Sequence, residues 1–155
     1  MASRGLAFLL VVCLMLQGVF AWPVVQTGAR GSTVVALQDL LKARGYVLAV
    51  DGIFGPITAS AVINFQIANG LVATGIVGQL TWPKVIILVK FGSVGKAVHA
   101  VQYLLVYKYR FLAGAGSIDS VFGQNTKNAV IAFQSNKGLA RDGIVGPITW
   151  QALVS

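Results

Sequence analysis

The segment Asp51-Gly52-Ile53-Phe54-Gly55-Pro56-Ile57-Thr58 returns in altered form at Thr74 to Thr81, at Asp119 to Thr126 and at Asp142 to Thr149. The first two copies start 23 residues apart, as do the last two, and the pairs are offset by 68. Self-similarity at a set period outranks every other sequence signal, because each repeat must be one supersecondary unit that leans on its neighbour. The chain therefore reads as a tandem of two similar units.

The match extends beyond the turns. Ala61-Val62-Ile63 pairs with Ala129-Val130-Ile131, Phe65-Gln66 with Phe133-Gln134, Gly70-Leu71 with Gly138-Leu139 and Trp82 with Trp150. About half of the positions from Asp51 to Trp82 are identical to those from Asp119 to Trp150. Upstream the register drops to 64, aligning Gly28, Gly31, Gln38 and Leu41 with Gly92, Gly95, Gln102 and Leu105. Repeat two thus carries four extra residues near Phe111 to Ser117.

Local rules give each repeat three helices. Ser32 is placed to cap a helix whose Val34, Leu37, Leu40 and Leu41 share one face, and Gly45 stops it. Its partner starts near Lys96, with Val98, Val101, Leu104 and Leu105 on the equivalent stripe. The repeated turn starts the second helix. Asp51-Gly52 bends the chain, Ile53 and Phe54 are expected to point inward, Gly55 to permit the entry angle, and Pro56 to occupy the first helical position with Thr58 at the third. Asp119, Phe122, Gly123 and Thr126 repeat this pattern, and Gly70 and Gly138 end the two helices. A short third helix runs from Gly146-Pro147, past Thr149, to bury Trp150 and Leu153. Its counterpart at Trp82 meets Pro83 and should be truncated or kinked. The expected class is all-α: two three-helix bundles, residues 28–86 and 91–155, with the apolar stretch Val85 to Phe91 as a buried connector.

Residues 1–21 read as an export signal, from Arg4 through the apolar run Leu6 to Leu16, with cleavage after Ala21. The run is too short to span a bilayer, so the mature chain is not expected to be an integral membrane protein. Cys13, the only cysteine, falls inside that signal, so no disulfide supports the mature fold. Units of this size have small cores, which favours packing of one on the other. The formal charge of +8 becomes +7 without Arg4, and the four acidic residues are all Asp. Such a balance favours anionic partners, including anionic wall polymers. The Lys and Arg residues are scattered, with no basic run of the kind that marks a nucleic-acid surface, and no nucleic-acid partner is expected.

The run Asp119, Phe122-Gly123, Thr126, Ala129-Val130, Phe133-Gln134, Gly138-Leu139, Asp142-Gly143, Val145-Gly146, Thr149-Trp150 resembles the peptidoglycan-binding domain. That is a small three-helix module found beside cell-wall hydrolases and related peptidases. Both repeats share the likeness, which covers Gly28 to Val154. Three departures stand out: Thr74 in place of Asp, Ser120 in place of Gly, and Pro83 in the last helix of repeat one. The resemblance implies a secreted or wall-associated protein whose partner is peptidoglycan or a related glycan.

The residue inventory disfavours catalysis. Glycan hydrolysis ordinarily needs two carboxylates about 5 to 9.5 Å apart. Only Asp39, Asp51, Asp119 and Asp142 exist, and the last three sit at equivalent turn positions where an Asp side chain holds a loop. One histidine, His99, is too few for a zinc site, and it reads as a partly exposed surface residue. No metal or cofactor is expected, and no serine lies in a nucleophile motif. Candidate ligand groups are Arg44 and Tyr46 after the first helix, the alternating Tyr107-Lys108-Tyr109-Arg110-Phe111 in the similar place of repeat two, and Gln66 and Gln134. If extended, the alternating stretch would place rings on one face and cations on the other. Arg110 would suit a stem-peptide carboxylate. Each Gln has a competing role in tying its helix to a neighbouring loop. An extracellular protein-interaction module of the same fold is the alternative function, and a cell-wall hydrolase the least favoured.

Overall fold

The computed structural model describes residues 20–155; the signal assigned to 1–21 lies almost wholly outside them. Six α-helices are present among the described residues: α1 Ser32–Ala43, α2 Pro56–Ala68, α3 Trp82–Val85, α4 Lys96–Tyr103, α5 Gln124–Asn136 and α6 Pro147–Val154. A π-helical turn, Leu104–Lys108, extends α4, and a 3-10 turn, Ala115–Ser117, falls in the insertion of repeat two. The expected all-α class and the three helices per repeat are both present.

The helix ends follow local chemistry with two differences. Gly45, Gly70 and Gly138 take positive φ just past α1, α2 and α5, and the next residue's N–H returns to a carbonyl of the last turn. Pro83 leaves α3 with four residues where α6 has eight, because it stands at the place of Gln151, inside the helix of repeat two, and its missing N–H interrupts the hydrogen-bond ladder there. At the start of α1 the flanking residue is Gly31, and no side chain caps the helix. Ser32 is instead its first helical residue. Gly55 has an extended backbone, φ −100°, with open space at its Cβ position, so the glycine the turn requires is Gly52. There φ is 72° and an added Cβ would meet the Val35 side chain at 3.1 Å.

A strap precedes the first helix of each repeat and crosses both of its turns. In repeat one, Val25 pairs antiparallel with Val77 and Arg30 with Ile53; in repeat two, Val89 pairs with Val145 and Val94 with Val121. The apolar stretch after Val85 therefore belongs to repeat two as its strap. Trp82 Nε1 donates to Pro23 O and Trp150 Nε1 to Ile87 O, both at 2.8 Å. The indole donors of two fully buried rings are thus satisfied by the straps. The straps make these contacts at Pro23 and Ile87, and Trp22 beside the first stacks on Trp82. The bridges also explain why Ile53 is 39% exposed while Phe54 is buried. Successive side chains on an extended segment point to opposite sides, so only one of the two can plug inward.

The two repeats share one continuous core. Their most extensive contact is α1 against α4, and α1 is buried without interruption from Val34 to Leu41. One face serves its own bundle and the other serves the partner bundle, with Ala36 and Ala100 fully buried in the paired helices. The far end of the seam is tied by Thr33 Oγ1 donating to Val154 O at 3.1 Å.

Candidate functional site

Each of the four turns is held by one buried glutamine from the preceding long helix. In the first turn Gln38 Nε2 donates to Asp51 Oδ1, Ile53 O and Thr58 Oγ1, while its Oε1 accepts from the N–H groups of Asp51 and Gly52. Gln102 makes the same set to Asp119, Val121 and Thr126 and accepts from Ser120 N–H. Gln134 does so for Asp142, Ile144, Thr149 and Gly143, and Gln66 for Thr74, Ile76, Thr81 and Gly75. A primary amide offers two donors and a two-lone-pair acceptor on one rigid plane, which suits a turn presenting acceptors and N–H groups side by side.

The residue that opens each turn closes it on itself. Asp51, Asp119 and Asp142 accept the N–H two residues on at 2.9 Å, and Thr74 does the same through its hydroxyl at 3.1 Å. The Gln38 donor, then the Ile53 N–H, hold the Asp51 carboxyl below the usual carboxylate range; Gln102 and Val121 N–H do the same for Asp119. Both remain ionised in mild acid.

Each rigid turn leaves a shallow cleft at the surface between the residues before it and the helix after it. Leu48, Asp51, Pro56 and Ile57 line the first, of about 170 Å³, and Leu71, Thr74, Ile76 and Leu80 the second, of about 270 Å³. The third, of about 290 Å³, is bounded by Leu112, Ser117, Asp119 and Asn125. The fourth, of about 190 Å³, is bounded by Leu139, Asp142, Pro147 and Ile148. Ile57, Leu80 and Ile148 stand at one equivalent position, 67%, 73% and 66% exposed. Single exposed aliphatic side chains are ordinary on a protein surface; what distinguishes these is their recurrence at one position on three clefts.

The family model described as "Putative peptidoglycan binding domain" matches residues 30–84 and again 94–153. The chain belongs to this family. It is 34% identical to a probable N-acetylmuramoyl-L-alanine amidase of Bacillus licheniformis over 85% of this chain and 45% of that protein. It is 41% identical to the zinc D-Ala-D-Ala carboxypeptidase of Streptomyces albus G over 45% of this chain and 29% of that one. The chain thus spans less than half the length of these relatives. A peptidoglycan-binding protein of Clostridioides difficile, solved with glutamine hydroxamate, is 43% identical over 44% of this chain and 40% of its own, with a TM-score of 0.40.

Within the two peptidoglycan-binding modules, the candidate ligand residues fall in different places. Gln66 and Gln134 are turn clamps and buried. The Arg44 guanidinium donates to the carbonyls of Lys84, Val85 and Ile86 at the end of α3, and Tyr46 meets Phe65 edge-on. The stretch around Tyr107 is π-helical, so its rings do not share a face. In a helix, residues two apart lie on nearly opposite sides. Tyr107 is exposed and packs on Tyr103 at 4.6 Å. Tyr109 turns inward, edge to Phe133 at 4.7 Å, and its hydroxyl donates to Ala152 O and Leu153 O. Burial pushes that phenol up and the Lys108 ammonium down. Lys108 donates to the carbonyls of Leu153 and Ser155 at the C-terminal end of α6, where a cation opposes the helix dipole. Arg110 is exposed, with φ 59°.

The glutamine clamps on the first helices, Gln38 and Gln102, entered the repeat alignment only as matching positions. Asn125, Ile57, Leu80 and Ile148 carried no separate signal in the sequence. A comparison of the residue just before the turn threonine, read across Thr58, Thr81, Thr126 and Thr149, would have found Ile57, Leu80, Asn125 and Ile148.

Proposed function

We propose that this chain binds peptidoglycan, or a related cell-wall glycan, without cleaving it, and that the clefts at the four turns are its contact surface. The observation that carries the reading is the fourfold recurrence of one cleft on a rigid turn, within a family module that is present twice. Secretion to the wall is part of the same reading. All four carboxylates support a non-catalytic role: Asp51, Asp119 and Asp142 are engaged in turns, and Asp39 is buried against His99. Two modules held rigidly side by side would engage one polymer at several points and gain avidity without new contacts.

The test is retention of the mature protein on insoluble purified peptidoglycan, with chitin and cellulose as controls, across a salt series. Retention on peptidoglycan that survives moderate salt is expected. Loss by moderate salt, with equal capture on any acidic polymer, would assign binding to the net positive charge alone. Release of soluble fragments would show cleavage. A protein partner is the second reading, supported by the exposed Ile57, Leu80 and Ile148 at the cleft rims; it predicts no retention on any of the three polymers.

A further inference from the structure

The third cleft keeps the turn residues Asp119, Gly123 and Thr126 but differs from the other three in its wall and its rim. We propose that it is a dedicated subsite for an N-acetylated amino sugar, an assignment that rests on the glycan-binding reading. The four extra residues of repeat two fall here, and the 3-10 turn Ala115–Ser117 folds them into an added wall. In the first cleft the wall is the single segment at Leu48 and Ala49. In the third, Leu112 and the Gly116-Ser117 pair stand where that one segment stood. At the exposed aliphatic position of the other turns this cleft has Asn125. The two non-glycine residues of positive φ among the described residues, Arg110 and Ser120, flank the same loop. Non-glycine residues in that region persist only where the surroundings hold them, and they concentrate at functional sites.

The chemistry of the lining selects the ligand. Asp119 uses Oδ1 for the turn, and its Oδ2 takes no protein donor among the described residues, so an ionised acceptor faces hydroxyl or N–H groups. A carboxylate ligand is disfavoured beside it. The Asn125 amide has no hydrogen bond among the described residues and offers both a donor and an acceptor, the complement of an acetamido group. Leu112 and the half-exposed Val121 supply apolar surface for the C–H face of a sugar ring. A neutral ring bearing hydroxyls and one acetamido group satisfies all of these.

The probe is a soluble β-1,4-linked trimer of N-acetylglucosamine, titrated into the 15N-labelled mature protein, with peptidoglycan retention measured on the same samples. Amide shifts are expected at Leu112 to Thr126 and not at the equivalent Leu48 to Thr58. Asn125→Ile, which installs the aliphatic type found in the other turns, should weaken binding by roughly five- to tenfold, the loss of one or two hydrogen bonds. Leu88→Ala, at an exposed residue that lines none of the four clefts, should leave it unchanged. A dispersed spectrum confirms that each variant folds. Shifts centred on another cleft, no shifts at all, or an unaltered affinity for Asn125→Ile would overturn the subsite. If the wild type is retained on peptidoglycan in those cases, the wall-binding reading stands without it. Saturable shifts at the third cleft without peptidoglycan retention would uphold the subsite and overturn binding to the intact wall.

Discussion

His99 Nδ1 lies 2.5 Å from Asp39 Oδ2 across the seam between the two modules. Asp39 is on α1 and His99 on α4, at positions that do not correspond in the repeat, so the contact belongs to the pairing of the modules and to neither module alone. The aspartate side chain is fully buried and its Oδ1 has no partner among the described residues. The histidine sequence position suggested a surface residue, and its ring is indeed 24% exposed, but its inner nitrogen serves the core.

Burial raises the Asp39 carboxyl above its usual range, against the opposing pull of His99, Lys96 and Lys42. A raised folded-state value means that the folded chain holds the proton more tightly than the unfolded chain. This contribution to stability is therefore complete below about pH 4, the ordinary carboxylate value, and is lost as pH rises through the folded value. Thermal melts across that range should show this decline in the wild type and a flatter curve in Asp39→Asn. His99→Ala strands the buried carboxylate and should cost about 2 kcal/mol at neutral pH, below the range for fully buried pairs because the ring edge is wet.

Asp51 and Asp119 set the opposite limb. Their carboxyls are depressed by the glutamine donors and the N–H groups of Ile53 and Val121, so their contribution is present above about pH 4 and lost as pH falls through the lower folded values. The double variant Asp51→Asn, Asp119→Asn retains a side-chain acceptor and should show a shallower loss of stability below that pH in chemical denaturation. An unchanged acid limb would show that the turn carboxylates do not govern it.

Removing a clamp should cost more where more bonds are lost. Gln38 accepts two N–H groups and donates to three oxygens, whereas Gln66 accepts one and donates to three, one of them at 3.3 Å. Gln38→Ala is expected to destabilise by about 3 kcal/mol, since buried backbone donors are left unmatched. Gln66→Ala should cost less in the same urea titration. Equal costs would show that the turns relax to water.

Ser120 takes φ 63° at the place where Gly52 has φ 72°. A left-handed non-glycine residue costs about 1–2 kcal/mol, part of which a glycine gives back through its larger unfolded-state entropy. Ser120→Gly should therefore raise stability by about 0.5–1 kcal/mol, seen as a higher Tm. No change would indicate that the Gln102 bond to the Ser120 N–H already selects this backbone at little cost.

What the residues settle alone is what short-range rules decide. The repeat, the turn chemistry of Asp51, Asp119 and Asp142, the glycine stops at Gly45, Gly70 and Gly138 and the truncation at Pro83 all depend on neighbours within a few positions, where sterics and local hydrogen bonds dominate. The tertiary structure decided what depends on partners far along the chain. It decided that α1 is buried on both faces, that Arg44 serves carbonyls of α3, that Lys108 and Tyr109 close the end of α6, and that Asp39 meets His99 sixty positions away. The clefts belong to this second group, because a concave surface is made by segments brought together only when the core closes. Four equal turns were legible in the sequence; that repeat two deepens one of them into a polar cleft followed only from where its four added residues came to lie.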